Sequence, residues 1–339
     1  MNFDPSKFYK EQFKNITPSL SFDKNNNFFE WRKQVGEALN MLLGMPEAVT
    51  DAKPIIEYRD NSNELFDEIR FVFESEPDYF VPCHLIAPKN IVGKLPLVIC
   101  LQGHTTGMHI SLARAKYEND QDAINSGDRD FALSAVKQGY AALVMEQRGF
   151  GENTQHITES PWGSCHTPSM QALMLGRTMV GDRAFDVKRA IDSISHFDFL
   201  DLKKIGIMGN SGGGTTSFFA ACVEPRIALA MPSCYFCTFE ASIFSLFHCQ
   251  CNFIPNILNY FEMPDLACLI APRPLIIVSG LNDPIFPYPE VLKAFDKVKQ
   301  IYAAANAADN CTLVTGAEGH RFYAEQGWKA FRAQFVKLG

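Results

Sequence analysis

One serine in this chain stands in a cluster of glycines. The run Gly209-Asn210-Ser211-Gly212-Gly213 fits the pattern G-x-S-x-G, and Gly214 follows directly. A short apolar run, 204–208, precedes it and a run of small, helix-compatible residues follows. That context predicts a sharp strand-to-helix turn, which strains the serine and lifts its hydroxyl above the end of a sheet. Side chains at the flanking positions would collide with the adjacent strand and helix, so glycine is tolerated there despite its cost in backbone entropy. The new helix aims backbone N–H groups at the place where an oxyanion would form. The chemistry expected of Ser211 is therefore nucleophilic attack. Gly209 and Gly214 also have P-loop spacing, but Thr215 and Thr216 stand where Lys and then Ser or Thr are needed, so phosphate binding is excluded.

A serine hydroxyl needs an adjacent base, and the base needs an acid to orient it. Where a serine sits on such a turn, the acid and then the histidine follow it along the chain. Only His248 and His320 follow Ser211. His320 lies in "TGAEGHRFY", just beyond the strand-like run "CTLVTG", at the strand end where ligand chemistry gathers in open α/β sheets. His320 is the expected base; His248, in an aromatic and cysteine-rich stretch, is the alternative and otherwise a candidate pocket residue. Asp283 in "VSGLNDPIFP" follows the run "PLIIVSG" at the same edge and is the expected acid, although Asn282-Asp283-Pro284 is also good Asx-turn chemistry. Glu262 and Asp265 compete for the role but precede that strand. For the oxyanion, the Gly212 N–H is the expected first donor. The second is the His104 N–H in "QGHTTG", where Gly103 would permit close approach.

These residues require a scaffold of strands ending at one edge. The runs "LPLVICL", "YAALVM", "KIGIM", "RIALAM", "PLIIVSG" and "CTLVTG" read as strands buried on both faces of a parallel sheet. Ala184, Val187, Ile191 and Ile194 make one apolar helix face between two of them. The pattern predicts an α/β fold with a mostly parallel twisted sheet flanked by helices. Upstream, "IIEYRD" and "IRFVFES" suit an antiparallel edge. Residues 1–50 read as a helical extension on the main domain, with Trp31, Val35, Leu39 and Leu42 at helical spacing; residues 51–339 form the catalytic domain. Two connections, 151–170 and a cap-like insertion at 232–268, are long enough to be lids or binding loops.

Composition narrows the functional classes. A net charge of -7 argues against a nucleic-acid surface, and no window is apolar enough for a membrane span. The amino-terminal stretch has no apolar signal core, so a cytoplasmic location is expected. Ten cysteines over 339 residues are not a disulfide framework, and reduced thiols are expected. The oligomeric state is left open, a homo-oligomer being compatible with this surface.

With these residues assembled, the chain resembles the α/β-hydrolase superfamily, most closely its dienelactone-hydrolase-related, acetylxylan-esterase-like branch. The resemblance spans most of 95–325 and rests on "LQGHTTG", "EQRGFGE", "LMLGRTMVGDRAFDVKRAID", "GNSGGGT", "HCQCNFIP", "MPDLACLIAPRPL", "NDPIFP" and "EGHRF". It implies Ser211 as nucleophile, Asp283 as acid and His320 as base, with no cofactor and a small-molecule ester as substrate. By the same analogy the acyl group is acetyl and the alcohol a carbohydrate. Dienelactone hydrolases proper use a cysteine nucleophile, and the cephalosporin and xylan deacetylases carry glutamine where Gly212 stands here. The rival readings are a prolyl-oligopeptidase-like serine peptidase and a non-catalytic ligand-binding member of the fold. About ninety residues before "LPLVICL" are too few for the peptidase's propeller, and an intact Ser, Asp and His argue against a receptor.

Two further clusters hold residues capable of chemistry. Cys234-x-x-Cys237 with His248-Cys249-x-Cys251 offers zinc-type ligands, but the second half is cramped, and buried cysteines acting as small apolar residues are the expectation, with no metal. Arg148 in "EQRGFGE" is expected either to bind substrate or to hold its loop through Asp182 or Glu146, the structural role being favoured. Arg177 and Arg183 are expected to be structural.

Overall fold

Apolar runs alternating with amphipathic helices bury both faces of one twisted sheet. The computed structural model describes residues 2–89, 92–154 and 163–338. Its strands are β1 (Ile55–Asp60), β2 (Phe66–Glu76), β3 (Tyr79–Pro88), β4 (Leu95–Leu101), β5 (Ala141–Met145), β6 (Leu200–Asn210), β7 (Ile227–Ser233), β8 (Leu275–Gly280) and β9 (Cys311–Gly316). They lie in the order β1-β2-β3-β5-β4-β6-β7-β8-β9. Strands β5, β4, β6, β7, β8 and β9 are parallel, and β1, β2 and β3 extend the sheet antiparallel. The helices are α1 (Pro5–Phe13), α2 (Phe28–Leu43), α3 (Asp120–Gly127), α4 (Phe131–Lys137), α5 (His166–Met174), α6 (Met179–Ile194), α7 (Gly212–Val223), α8 (Ala267–Ile270), α9 (Tyr288–Ala304) and α10 (Ala324–Phe335).

The period of two along each strand decides which layer a side chain joins. On β4, Leu95, Leu97, Ile99 and Leu101 enter the cluster that holds the apolar faces of α2, α6, α7 and α9. Val98 and Cys100 enter the opposite cluster, with Phe131 and Val136 of α4 and Trp328, Phe331 and Phe335 of α10. Both faces are covered, so these strands read as unbroken apolar runs. Each such Leu or Ile contributes about 1.5–3 kcal/mol through burial. On α2, Trp31, Val35, Leu39 and Leu43 are buried in the same cluster as the sheet. No described helix is long and apolar enough to cross a membrane.

Three features differ from the sequence expectations. β3 went unseen as a strand because "YFVPCHLIAP" carries two prolines, and its burial is nearly continuous rather than alternating. Residues expected as one long connection at 151–170 include the start of α5 at His166, while 155–162 lie outside the described residues. The 232–268 stretch holds the last two residues of β7, short 3-10 turns and the start of α8, so little regular structure shapes it. Because the six parallel strands point one way, the segments after β4, β6, β7, β8 and β9 all emerge at one edge.

Candidate active site

Ser211 joins β6 to α7 with φ 57° and ψ -121°, a left-handed backbone for a residue with a side chain. Such a conformation costs about 1–3 kcal/mol and persists only where its surroundings hold it. Here its N–H donates to the Ser233 carbonyl at 2.9 Å, at the end of β7. The glycines permit the crowding this bend demands. A Cβ on Gly213 would lie 2.1 Å from the Leu101 carbonyl oxygen, and one on Gly209 would lie 2.3 Å from the Gly213 oxygen. Gly103 presses on the same turn, since its Cβ would come within 2.9 Å of the Ser211 Cβ.

Beyond β8 and β9 the other two residues meet. The His320 Nδ1 lies 2.8 Å from the Asp283 Oδ2. The second carboxylate oxygen, Oδ1, accepts the N–H groups of Ile285 at 2.9 Å and Phe286 at 3.1 Å, so the Asx turn and the histidine contact coexist. Burial alone would push this carboxyl up, but the hydrogen bond and charge of His320, with the two N–H groups, outweigh it and hold it below its ordinary value. An ionised carboxylate only accepts, so Nδ1 is the donor and Nε2 is left as the ring's basic nitrogen. The ring stacks on Phe286 at 5.9 Å between centroids.

Ser211, Gly212, His104, His248 and His320 line one cleft of about 370 Å³, with Phe247 and Phe286 on its walls. The backbone N–H groups of His104 and Gly212 donate to no acceptor among the described residues. A second cavity of about 340 Å³ adjoins it, shares His104 and His320, and has the more polar lining of Thr105, Thr106, Asn119 and Ser126. Arg129 lines both and pairs with no carboxylate among the described residues. The sequence offered no sign of Arg129, nor of Asn252, which lines the cleft and accepts from the Thr215 hydroxyl at 2.9 Å. Beneath the loop after β4, Glu146 accepts the N–H groups of Met108 at 3.1 Å and Glu152 at 3.2 Å. Burial pushes its carboxyl up to about 7.

The remaining candidates are placed differently. His248 faces the cleft with its Nε2 2.9 Å from the Ser242 hydroxyl. Burial first, then the nearby His320 and His104, push it down to about 4, so it is neutral near pH 7. Arg148 does not line the cleft. It binds Asp186 through Nε at 2.7 Å and Glu76 through Nη2 at 2.6 Å, and covers the Tyr79 ring. That corrects its candidacy as a residue of this cleft. Of the two expected partners Asp182 lies 3.6 Å away, Glu146 does not pair with it among the described residues, and Asp186 and Glu76 are the closer partners. Arg177 binds Glu76 and Asp182. The cysteines also regroup: Cys234 and Cys237 bond to backbone carbonyls of Arg321 and Thr238, each at 3.0 Å, away from Cys249 and Cys251.

The order of the strands, the left-handed serine and the histidine at the far strand ends agree with a match of residues 7–327 to the Abhydrolase family. The chain belongs to this family. Its fold is the α/β-hydrolase fold. It is 25% identical over 243 residues to the Bacillus subtilis (strain 168) protein named "Putative hydrolase YtaP", covering 70% of this chain and 77% of that one. A Bacteroides fragilis structure titled "putative acetyl xylan esterase" superposes with a TM-score of 0.77 at 18% identity, covering 93% of this chain and 83% of that one. A glucuronoyl esterase from Solibacter usitatus gives 0.69 at 10% identity, covering 95% and 97%. Acetyl xylan esterase 1 from Thermoanaerobacterium sp. JW/SL YS485 gives 0.61 at 18% identity, covering 97% and 98%. These structural likenesses concern the fold.

Proposed function

We propose that this chain is a serine esterase that works through an acyl-enzyme. The reading is carried by the 2.8 Å contact of Asp283 with His320, whose ring lines the same cleft as Ser211. In this reading the Ser211 Oγ attacks the ester carbonyl while the His320 Nε2 takes its proton. Asp283 keeps the ring in the tautomer that can do so and stabilises the imidazolium. The unpaired N–H groups of Gly212 and His104 bind the oxyanion, where losing one donor typically costs about 2.7–4 kcal/mol. The imidazolium then protonates the departing alcohol, and water repeats the sequence to release the acid. None of these steps calls on a cofactor.

The acyl group favoured is small, acetyl first, and the alcohol a carbohydrate hydroxyl. Similar folds named as acetyl xylan and glucuronoyl esterases support that direction. The polar second cavity, with Arg129 at the junction, suits a substrate part rich in hydroxyl or carboxylate groups. The test runs p-nitrophenyl acetate, acetylated xylo-oligosaccharides, a methyl glucuronate ester and a peptide amide against wild type and Ser211→Ala. Ester turnover is expected, with a kcat loss on the order of 10⁶ in the variant. Labelling of Ser211 by a fluorophosphonate is expected as well. A variant that keeps most of its turnover would place the chemistry on another group, and cleavage of the amide alone would favour a peptidase.

A further inference from the structure

We propose that His104, Cys165, Cys249 and Cys251 form a closed zinc site that ties the wall of the cleft to the loop after β4. Their ligand atoms, the imidazole nitrogen and three sulfurs, all lie within 4.8 Å of one another. The His104 Nε2 is 3.4 Å from the Cys251 Sγ and 3.9 Å from the Cys165 Sγ. With Zn–S near 2.3 Å and Zn–N near 2.0–2.1 Å, a tetrahedral site has S···N edges of about 3.6 Å and S···S edges of about 3.8 Å. The two His104 edges already lie near the S···N value, and the remaining edges, at most 4.8 Å, need to close by no more than about 1 Å. Three segments converge to build it: the loop after β4, the residue just before α5, and the turn at Gln250–Asn252. No single stretch of sequence carries the spacing, which is why the cysteines read as packing residues and no metal was expected.

Arg183 is an independent sign. It is 1% exposed, and no carboxylate among the described residues pairs with it. Its Nε and Nη2 donate to the Arg148 carbonyl at 3.0 and 2.6 Å, Nη2 also lies 3.3 Å from the Cys165 Sγ, Nη1 has no partner, and its plane covers the Phe150 ring at 4.1 Å. A buried cation needs a counter-charge. Three neutral thiols supply none, whereas Zn²⁺ with three thiolates and a neutral imidazole carries one negative charge. Binding releases the three thiol protons to solvent. With Nε2 on the metal, the His104 Nδ1 keeps its proton. That nitrogen faces Gly212, whose Cβ would lie 3.2 Å away. Four protein ligands leave no open position, so the metal is structural: it fixes His104 and removes its ring as a rival base.

The site is tested by metal analysis of the full chain purified without chelators, which does not depend on the esterase reading. About one zinc per chain is expected, and exchange with Co²⁺ should give the intense visible bands of tetrahedral thiolate cobalt. Cys165→Ser and Cys251→Ser should each lose the metal, while Cys237→Ser should retain it. If a serine variant fails to fold, the wild-type stoichiometry and cobalt spectrum still decide. Reduced wild type that holds no zinc and gives no cobalt band overturns the site. So does a disulfide mapped between any two of the three cysteines, or metal retained by both ligand variants.

Discussion

Asp283→Asn should disable the proposed base while leaving its surroundings nearly isosteric. The Asp283 Oδ1 accepts two backbone N–H groups, from Ile285 and Phe286, and Oδ2 meets the His320 Nδ1. An asparagine has one acceptor oxygen and one donor amide nitrogen. Keeping the two backbone donors satisfied puts the oxygen toward Ile285 and Phe286 and the amide N–H toward His320. The imidazole must then accept at Nδ1 and carry its proton on Nε2, which is the wrong tautomer for a base. Restoring the working tautomer means turning the amide over and orphaning both N–H groups, at about 1–3 kcal/mol each. The pair amounts to about 2–6 kcal/mol, or a working fraction of about one in thirty to one in 10⁴. The lost carboxylate charge weakens the imidazolium further, so a kcat loss of about 10³–10⁴ is expected, with KM little changed. The assay is steady-state hydrolysis of p-nitrophenyl acetate, joined to nitrogen-15 shifts of the ring, which should show the proton on Nε2. A loss of less than tenfold in a folded variant would refute the argument that Asp283 sets the tautomer.

Arg148→Met should destabilise the fold by about 3–5 kcal/mol, because it leaves Asp186 in the interior with no cation, whereas Asp182 keeps Arg177. Denaturant titration checks this, and kcat/KM per folded molecule should stay within a few-fold of wild type if the arginine is structural. The Glu146 carboxyl is pushed up to about 7 from 4.5. Its contribution to stability is therefore fully present below about pH 4.5 and is lost as pH rises through 7, an effect on the order of 3 kcal/mol. Chemical denaturation across that range should show the falling limb in wild type and a flatter one in Glu146→Gln.

The parallel core was legible because strands covered on both faces must be apolar, so "LPLVICL" marks β4 to the residue; "CTLVTG" also matches β9 to the residue, although that edge strand is only partly buried. The serine turn was legible for a related reason: backbone crowding at Gly209 and Gly213 admits no side chain, and that restriction is written as glycine. Asp283 and His320 were readable from their places just after β8 and β9. What escaped was contact between segments far apart in the chain. Arg148 and Asp186 are joined only through the fold. Cys165 and Cys251 share no spacing rule, and the cluster that local spacing suggested, Cys234 and Cys237 with His248, Cys249 and Cys251, divides in the fold, Cys249 and Cys251 gathering with His104 and Cys165.

The wall facing Ser211 has little helix and no strand, so carboxylates that capture backbone N–H groups must hold it. Glu262 accepts from Phe239 at 2.8 Å, Glu240 at 3.1 Å and Met263 at 2.9 Å. Asp265 accepts from Glu262 at 2.9 Å and from Phe22 at 2.8 Å, and pairs with Lys297 at 2.6 Å. Phe22 belongs to the amino-terminal segment, which also donates from Ser19 to the Asn259 carbonyl at 3.0 Å and from Leu20 to that of Tyr260 at 2.7 Å. The Trp31 indole in turn donates to the Leu20 carbonyl at 2.8 Å, anchoring that segment to α2. Each such bond nets only about 0.5–1.5 kcal/mol, but breaking one strands a donor at higher cost, so the set resists piecemeal loosening. His248, Cys249 and Asn252 therefore reach the cleft on a wall braced from behind by residues 19–31. The amino-terminal segment thus braces the wall of the candidate site, and the family match, at residues 7–327, includes it.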